Sequence, residues 1–271
     1  MFRDQVIVIT GGSSGLGLEL ARRFAREGAR LTLIARDPVK LDKAADAIRA
    51  RQAGAQVAVE PLDVRDEAAA RATMDRVAAA GHGIDLLVNS AGILREGRFE
   101  ELPMEAFREV MEINYFGLLI ATRAALPHLK QSRGRLVNVA SMAGLTGCFG
   151  YTPYCASKHA LVGLSEALRY ELQPQGVTVH LVIPGEFDSP MVEDLDRYRT
   201  PENKAHVLTI PKATVGAIAD ATMAGIRVGR FFIVTGLATR TVATLVRHFP
   251  GLARAMGDRT IARVQRAMQA K

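Results

Sequence analysis

Seven short runs of aliphatic and β-branched residues recur along the chain, most of them followed by a longer stretch whose apolar positions return every three or four residues. Gln5–Thr10, Leu31–Ala35, Gln56–Leu62, Asp85–Val88, Arg135–Val139, Val177–Ile183 and Phe231–Val234 read as strands. Near-continuous apolarity, rather than alternation, predicts strands covered on both faces, as in a parallel sheet. The helical period predicts helices over Leu18–Glu27, Val39 to about Ala53, a stretch capped by Asp66 and reaching Ala80, Met104–Lys130, Tyr154 to about Leu172, and Lys212–Val228. Pro174 and Gly176 stop the fifth of these. Strand and helix alternate throughout, which predicts a single α/β unit. Between Met191 and Pro211 the pattern is polar, weakly periodic and punctuated by proline, the signature of a lid over a site.

Composition adds little until the end of the chain. The 271 residues include 48% hydrophobic residues and 24 glycines, enough for a large core. The opening apolar run is five residues, too short for a signal peptide or a membrane span, and predicts a cytoplasmic protein. Cys148 and Cys155 have no second pair to complete a metal site or a disulfide framework, so no metal is expected and both read as reduced, small apolar side chains. Residues 235–271 carry seven Lys or Arg against one acid, Asp258, and so hold +6 of the net charge of +7. Two amphipathic faces lie there: Val242, Leu245, Val246 and Phe249, then Ile261, Val264 and Met268. A basic amphipathic extension over 236–271 has three destinations: an anionic membrane surface, the pocket of its own chain, or a partner subunit. Nucleic acid is not expected, because there is no binding motif or aromatic platform.

Chemistry gathers at the strand ends. After the first strand comes Thr10-Gly11-Gly12-Ser13-Ser14-Gly15-Leu16-Gly17, and then a helix. Glycines let the backbone approach a ligand, and the helix N-terminus offers free N–H groups to a pyrophosphate, which predicts a dinucleotide site. The second strand ends in Ala35-Arg36-Asp37. A guanidinium there suits a 2′-phosphate and predicts NADP(H), while Asp37 could pair with Arg36 or reach the ribose itself. Asp63-Val64 follows the third strand, where a carboxylate could accept the adenine amino group, and Asn89-Ser90-Ala91-Gly92 follows the fourth with a close backbone approach. Asn114 is a poor helix-interior residue, and two readings stand: it distorts its helix and holds a water near Lys158, or it is a buried amide with local partners.

The stretch Ser141–Lys158 organises the rest. Tyr154 and Lys158 are four apart and share a helix face, with Ser141 at the end of the fifth strand. A phenol with a pKa of about 10 is a weak acid at neutral pH, and an ammonium one turn away is expected to lower it. The Ser141 hydroxyl could then hold a substrate carbonyl oxygen in line. After the sixth strand, Pro184-Gly185-Glu186-Phe187-Asp188-Ser189 places Ser189 where it could bond a nicotinamide carboxamide or cap a helix.

These motifs, Thr-Gly-x-x-x-Gly-x-Gly at 10–17, Asn-Ser-Ala-Gly at 89–92, Asn114, Ser141, Tyr154-x-x-x-Lys158 and Pro184-Gly185, resemble the short-chain dehydrogenase/reductase family over roughly residues 1–235. Ser90 stands where a second asparagine is usual and Ser189 where threonine is usual. The resemblance implies a single doubly wound Rossmann-type parallel sheet with helices on both faces. It also implies a reductase in which Tyr154 gives a proton to a carbonyl oxygen positioned by Ser141. Lys158 lowers the tyrosine pKa and bonds the nicotinamide ribose, and Asn114 holds a relay water. Thr10, Gly11, Ser13, Ser14, Gly15, Leu16, Gly17, Arg36, Asp63, Val64, Asn89, Ala91, Gly92, Pro184, Gly185, Phe187 and Ser189 would hold the cofactor. Family members often form homo-oligomers, dimers or tetramers, through the helices corresponding to Met104–Lys130 and Tyr154–Leu172. Ala35-Arg36-Asp37, Phe99–Leu102, Ile113–Tyr115, Gly147–Tyr154 and Asp188–Pro190 further resemble 3-ketodihydrosphingosine reductases, which act on a long-chain ketone at a membrane. That implies an apolar pocket, for which Leu145, Phe149, Met191 and Leu195 are the candidate walls.

Overall fold

The computed structural model describes residues 1–270. Seven strands form one all-parallel sheet: β1 (Val6–Thr10), β2 (Arg30–Ala35), β3 (Gln56–Pro61), β4 (Leu86–Asn89), β5 (Arg135–Val139), β6 (Thr178–Ile183) and β7 (Phe232–Val234). Their order across the sheet is β3-β2-β1-β4-β5-β6-β7, the doubly wound Rossmann type. The chain winds outward from β1 to β3, then returns to β4 on the other side of β1. The reversal opens a crevice beyond the carboxyl ends of β1 and β4, where such sheets bind ligands.

Helices cover both faces. Ile7 and Ile9 of β1 point into a layer filled by Leu20 and Phe24 of α1 (Gly15–Arg26), Leu41 and Ile48 of α2 (Pro38–Arg49), and Ile218 and Met223 of α9 (Val215–Arg227). Val6 and Val8 point the other way, to Met74 of α3 (Glu67–Gly81) and Ala121 and Leu129 of α5 (Gly117–Ser132). The alternation of strand side chains thus serves two cores at once. Asp66 caps α3 as expected, accepting from the Ala69 N–H at 2.9 Å.

The long helix expected over Met104–Lys130 is interrupted. Its first part, α4 (Met104–Met111), passes into α5 through a π turn at Glu112–Phe116, with the buried Asn114 at its centre. A π turn admits one extra residue, and such turns gather at functional sites. The catalytic-stretch helix, α6 (Thr152–Leu172), starts two residues before Tyr154. Within the expected lid lie two short helices, α7 (Pro190–Leu195) and α8 (Pro201–Val207), which the proline punctuation disguised. Each proline stands at the first helical position, where its missing N–H is not needed, after a capping Ser189 or Thr200. The chain ends in α10 (Leu237–His248) and α11 (Pro250–Gln269). Among the described residues no helix is long and apolar enough to cross a membrane.

Candidate active site

One cavity of about 360 Å³ runs along the crevice, lined by the glycine turn, the end of β5, one face of α6, the lid and the terminal helices. Gly11, Ser14, Gly15, Leu16, Ala91 and Gly92 border it at one part, and Ser141, Tyr154 and Lys158 face the same space. Pro184, Gly185, Phe187, Ser189 and Met191 complete that wall.

The glycine turn is shaped for a close ligand. Gly11 has φ +68, a left-handed conformation, and a Cβ there would sit 2.7 Å from the Ala91 nitrogen. Any other residue would be strained and would push the Ser90–Gly92 segment away. Ser14, the residue before α1, makes no side-chain cap, so the first N–H groups of the helix stay open beside the cavity. This cradle fits a pyrophosphate. Thr10 is buried and accepts from the Ser90 and Ala91 N–H groups at 3.3 and 3.4 Å, so it joins the two strand ends without reaching the cavity. Ser13 and Gly17 also lie off its lining.

Arg36 is exposed just past β2, and Asp37 neither pairs with it nor turns inward. The Asp37 carboxylate accepts from the Lys40 N–H at 3.0 Å as the cap of α2. Asp63 is held by Arg65, which donates to it from Nε at 3.0 Å; this bond, above all, pulls the carboxyl below its usual range. Asn89 faces the core instead of the cavity, donating to Thr122 Oγ1 at 2.9 Å and Asn138 Oδ1 at 3.0 Å. Val64 is likewise buried, against the start of α5 at Gly117.

Around Tyr154 the environment differs from the electrostatic expectation. The Lys158 Nζ lies 5.5 Å from the Tyr154 ring centroid and donates to the Val139 carbonyl at 3.1 Å. Burial pushes the Tyr154 phenol up, against a smaller downward pull from its hydrogen bond with Ser141. Burial also draws Lys158 down, to about 8. Desolvation of both groups therefore outweighs the ammonium's attraction for a phenolate. Asn114 combines the two readings: it stands at the centre of the π turn that distorts its helix, and its amide has local partners. Its Oδ1 accepts from the Ile93 N–H at 2.8 Å, and its Nδ2 donates to Ile93 O and Ser157 Oγ, both at 3.0 Å. Both amide hydrogens are used in fastening the π turn to the β4 loop and to α6.

The buried Lys158 predicts a pH signature. The unfolded chain keeps this proton to about 10.5 and the folded one only to about 8. Between these values the unfolded state binds more protons, so stability rises with pH; below about 8 the buried charge costs roughly 3 kcal/mol. In Lys158→Met this rise should be missing. Thermal denaturation of the nicotinamide-free protein at a series of pH values reads it, and equal slopes in both proteins would refute it.

Three of the four expected substrate-wall residues lie elsewhere. Leu195 is 1% exposed and fills a small core with Leu94, Ala143, Tyr151 and Cys155. Leu145 packs into the core beneath α6. Phe149 sits under Arg98, 5.5 Å from its ring centroid, and uses its backbone to hold the lid, donating to His206 Nδ1 at 3.3 Å and accepting from Asn203 Nδ2. Apolarity in the sequence does not distinguish a side chain that faces a cavity from one that faces a core. Met191 alone of the four lines the cavity.

Residues that the sequence did not single out complete the wall. Tyr151 lies edge-on to Tyr154, ring centroids 5.7 Å apart, and its hydroxyl accepts from Arg199 Nη2 at 2.8 Å. Arg199 also pairs with Glu186, and Lys212 reaches the same carboxylate at 3.6 Å. The Arg199 and Glu186 side chains are 1% and 6% exposed, so this pair clamps the lid from inside. Two further clamps hold α8: Thr200 on Glu96 and Arg98 on Glu202. Burial keeps the pKa of His206 low, and the ring accepts from Phe149 as a neutral imidazole. The rest of the wall comes from α10 and α11, whose apolar residues Val242, Leu245, Val246 and Met256 border the cavity. Of the three destinations open to the extension, its inner face takes the pocket. The amphipathic period was the available signal, but not what it covered.

A family model for short chain dehydrogenases matches residues 5–200. The chain belongs to the short chain dehydrogenase family. It is 36% identical over 204 residues to a 3-dehydrosphinganine reductase of Danio rerio, a match covering 73% of this chain and 61% of that protein. The chain thus spans about three fifths of that relative's length. It is 33% identical to the granaticin polyketide synthase putative ketoacyl reductase 1 of Streptomyces violaceoruber, over 90% of this chain and 85% of that one. A short-chain dehydrogenase/reductase from Burkholderia phymatum, solved in complex with NAD, superposes with a TM-score of 0.82 at 29% identity, covering 93% of this chain and 95% of the other.

Proposed function

We propose that this dehydrogenase uses NADPH to reduce a ketone to a secondary alcohol on a long-chain hydrophobic substrate, with 3-ketodihydrosphingosine the specific substrate. The observation that carries the reading is the single cavity joining the Gly11–Leu16 cradle to Ser141, Tyr154 and Lys158 and then to apolar side chains of the lid and terminal helices. Similarity to 3-dehydrosphinganine reductase supports the substrate. When bound, the cofactor supplies a hydride to the carbonyl carbon. The Ser141 hydroxyl donates to the carbonyl oxygen and fixes its position. Tyr154, kept protonated by burial, transfers its phenolic proton to that oxygen as negative charge develops there. Lys158 holds positive charge beneath the phenol and is placed to bond the nicotinamide ribose. Asn114 fixes the helix that carries them through Ser157.

NADPH consumption with 3-ketodihydrosphingosine, a 3-oxoacyl thioester and a short ketone at matched concentrations tests the assignment. Preference for the sphingoid ketone by orders of magnitude supports it, and equal rates would overturn it. A 3-oxoacyl thioester is the second reading, favoured by one feature. Glu186 is the single carboxylate on the cavity wall among the described residues, and it is already paired with Arg199 and Lys212, so a cationic amino ketone meets no free anion there.

Preference for NADPH rests on Arg36, exposed and with Asp37 committed to its helix cap. Charge-assisted hydrogen bonds contribute about 1.5–3 kcal/mol. Arg36→Ala should therefore lower the ratio of kcat/KM with NADPH to that with NADH by about 10- to 100-fold. An unchanged ratio would assign the discrimination elsewhere.

Self-association through α4–α5 and α6, where Phe116 of the π turn and Tyr170 of α6 stand 42% and 72% exposed, belongs to the same proposal and is read by light scattering on a sizing column. So does peripheral contact of the arginine-bearing outer face of α11 with anionic lipid, read by vesicle flotation.

A further inference from the structure

We propose that α10 and α11 set the length of the substrate: Val246, Met256 and Gly257 are the specificity-determining residues for the apolar chain attached to the ketone. The inference rests on the reading of this cavity as the site of ketone reduction. It concerns a part of the wall contributed wholly by residues beyond the 5–200 stretch that the family model matches.

Three observations carry it. First, the two helices turn matched faces to the cavity. Val242, Leu245 and Val246 stand at i, i+3 and i+4 of α10, and Met256, Gly257 and Thr260 at i, i+1 and i+4 of α11. Second, this surface makes no polar demand on a ligand. Its one side-chain oxygen, Thr260 Oγ1, is turned back to donate to the Met256 carbonyl at 3.0 Å. A wall of this kind recognises by volume and length, because a polar group placed against it would lose its water without a partner. Third, the position of the wall is fixed by a close backbone approach. A Cβ at Gly257 would lie 3.1 Å from His206 Nε2, so α11 sits against α8 as nearly as the missing side chain permits. His206 is in turn tied to the Phe149 N–H, and α8 to the body through Glu96 and Glu202. Space along this part of the cavity is therefore set by side-chain size at 246 and 256, and by how closely α11 docks at 257.

One methylene in a hydrophobic pocket changes selectivity by about 10- to 200-fold. Val246→Phe narrows the cavity and Met256→Ala widens it, so the two variants should move chain-length preference in opposite directions. The experiment measures kcat/KM with NADPH for a homologous series of straight-chain ketones from short to long. Calorimetric affinities for the matching secondary alcohols are measured in parallel. The expected result is a long-to-short ratio lowered at least about 10-fold by Val246→Phe and raised by Met256→Ala in both measurements. If both variants unfold at the wild-type temperature and neither ratio moves, the inference is overturned. If Val246→Phe fails to fold, Met256→Ala alone decides by the same criterion. Absence of any turnover in the wild type would instead overturn the proposed reaction, while the calorimetric series still reads the wall.

Discussion

Tyr154→Phe is expected to lower kcat for ketone reduction by about 10²–10⁴-fold, the contribution of a positioned general acid. Phenylalanine keeps the ring and its edge-on contact with Tyr151, 5.7 Å between centroids, and removes only the proton donor and its hydrogen bond with Ser141. The loss should appear equally in kcat and kcat/KM, because the phenol matters as charge develops on the carbonyl oxygen. The glycine cradle is untouched, so NADPH should still bind with wild-type affinity, as read by the enhancement of its fluorescence. A Phe variant with more than a tenth of the wild-type rate would remove Tyr154 from the reaction. Loss of cofactor binding as well would mean that the substitution had disturbed the site as a whole.

A second large effect is expected at a residue outside the proton-transfer group. Arg199→Ala should destabilise the protein by about 3–5 kcal/mol, the usual cost of leaving one partner of a buried ion pair behind. The Glu186 carboxylate, 6% exposed, would retain only Lys212 at 3.6 Å, and the Tyr151 hydroxyl would lose its donor. Both tie the lid to the cavity wall, so KM for substrate should rise alongside. Urea denaturation of the single variant and of Glu186→Leu/Arg199→Met separates the causes. The double variant replaces both charges with apolar groups and should recover most of the stability. A single variant that costs less than about 1 kcal/mol, as a surface pair would, would show that the clamp is solvated.

The contrast between Tyr154 and Arg199 marks what was legible in the sequence. β5 was readable to the residue, at Arg135–Val139, because Leu136, Val137 and Val139 form a short β-branched-rich run after Gly134, even though Asn138 lies within it. Ser141, Tyr154 and Lys158 were readable from chemistry and spacing, and the structure brings them to one cavity. Asn114 stood out as an amide in an apolar helix, yet the π turn around it was not legible, since a π turn leaves no periodicity of its own. Arg199 and Glu186 lie thirteen residues apart with the short helix α7 between them, and neither carries a local pattern that names the other. The lowered pKa expected for Tyr154 followed from the i, i+4 position of Lys158. Burial, which dominates both groups, depends on how the rest of the chain closes around them.

The placement of α10 and α11 has a consequence in time and in evolution. The cradle and the proton donor are in place by Lys158, whereas the terminal-helix part of the cavity wall comes from Val242 to Thr260, far along the chain. The proton-transfer group is therefore translated before this part of the wall. If these helices set substrate length as proposed, exchanging them would retune selectivity while leaving the seven-stranded sheet and the proton-transfer group as they are. The part of α11 beyond Thr260 does not border the cavity, so a change confined to it leaves the described wall as it is.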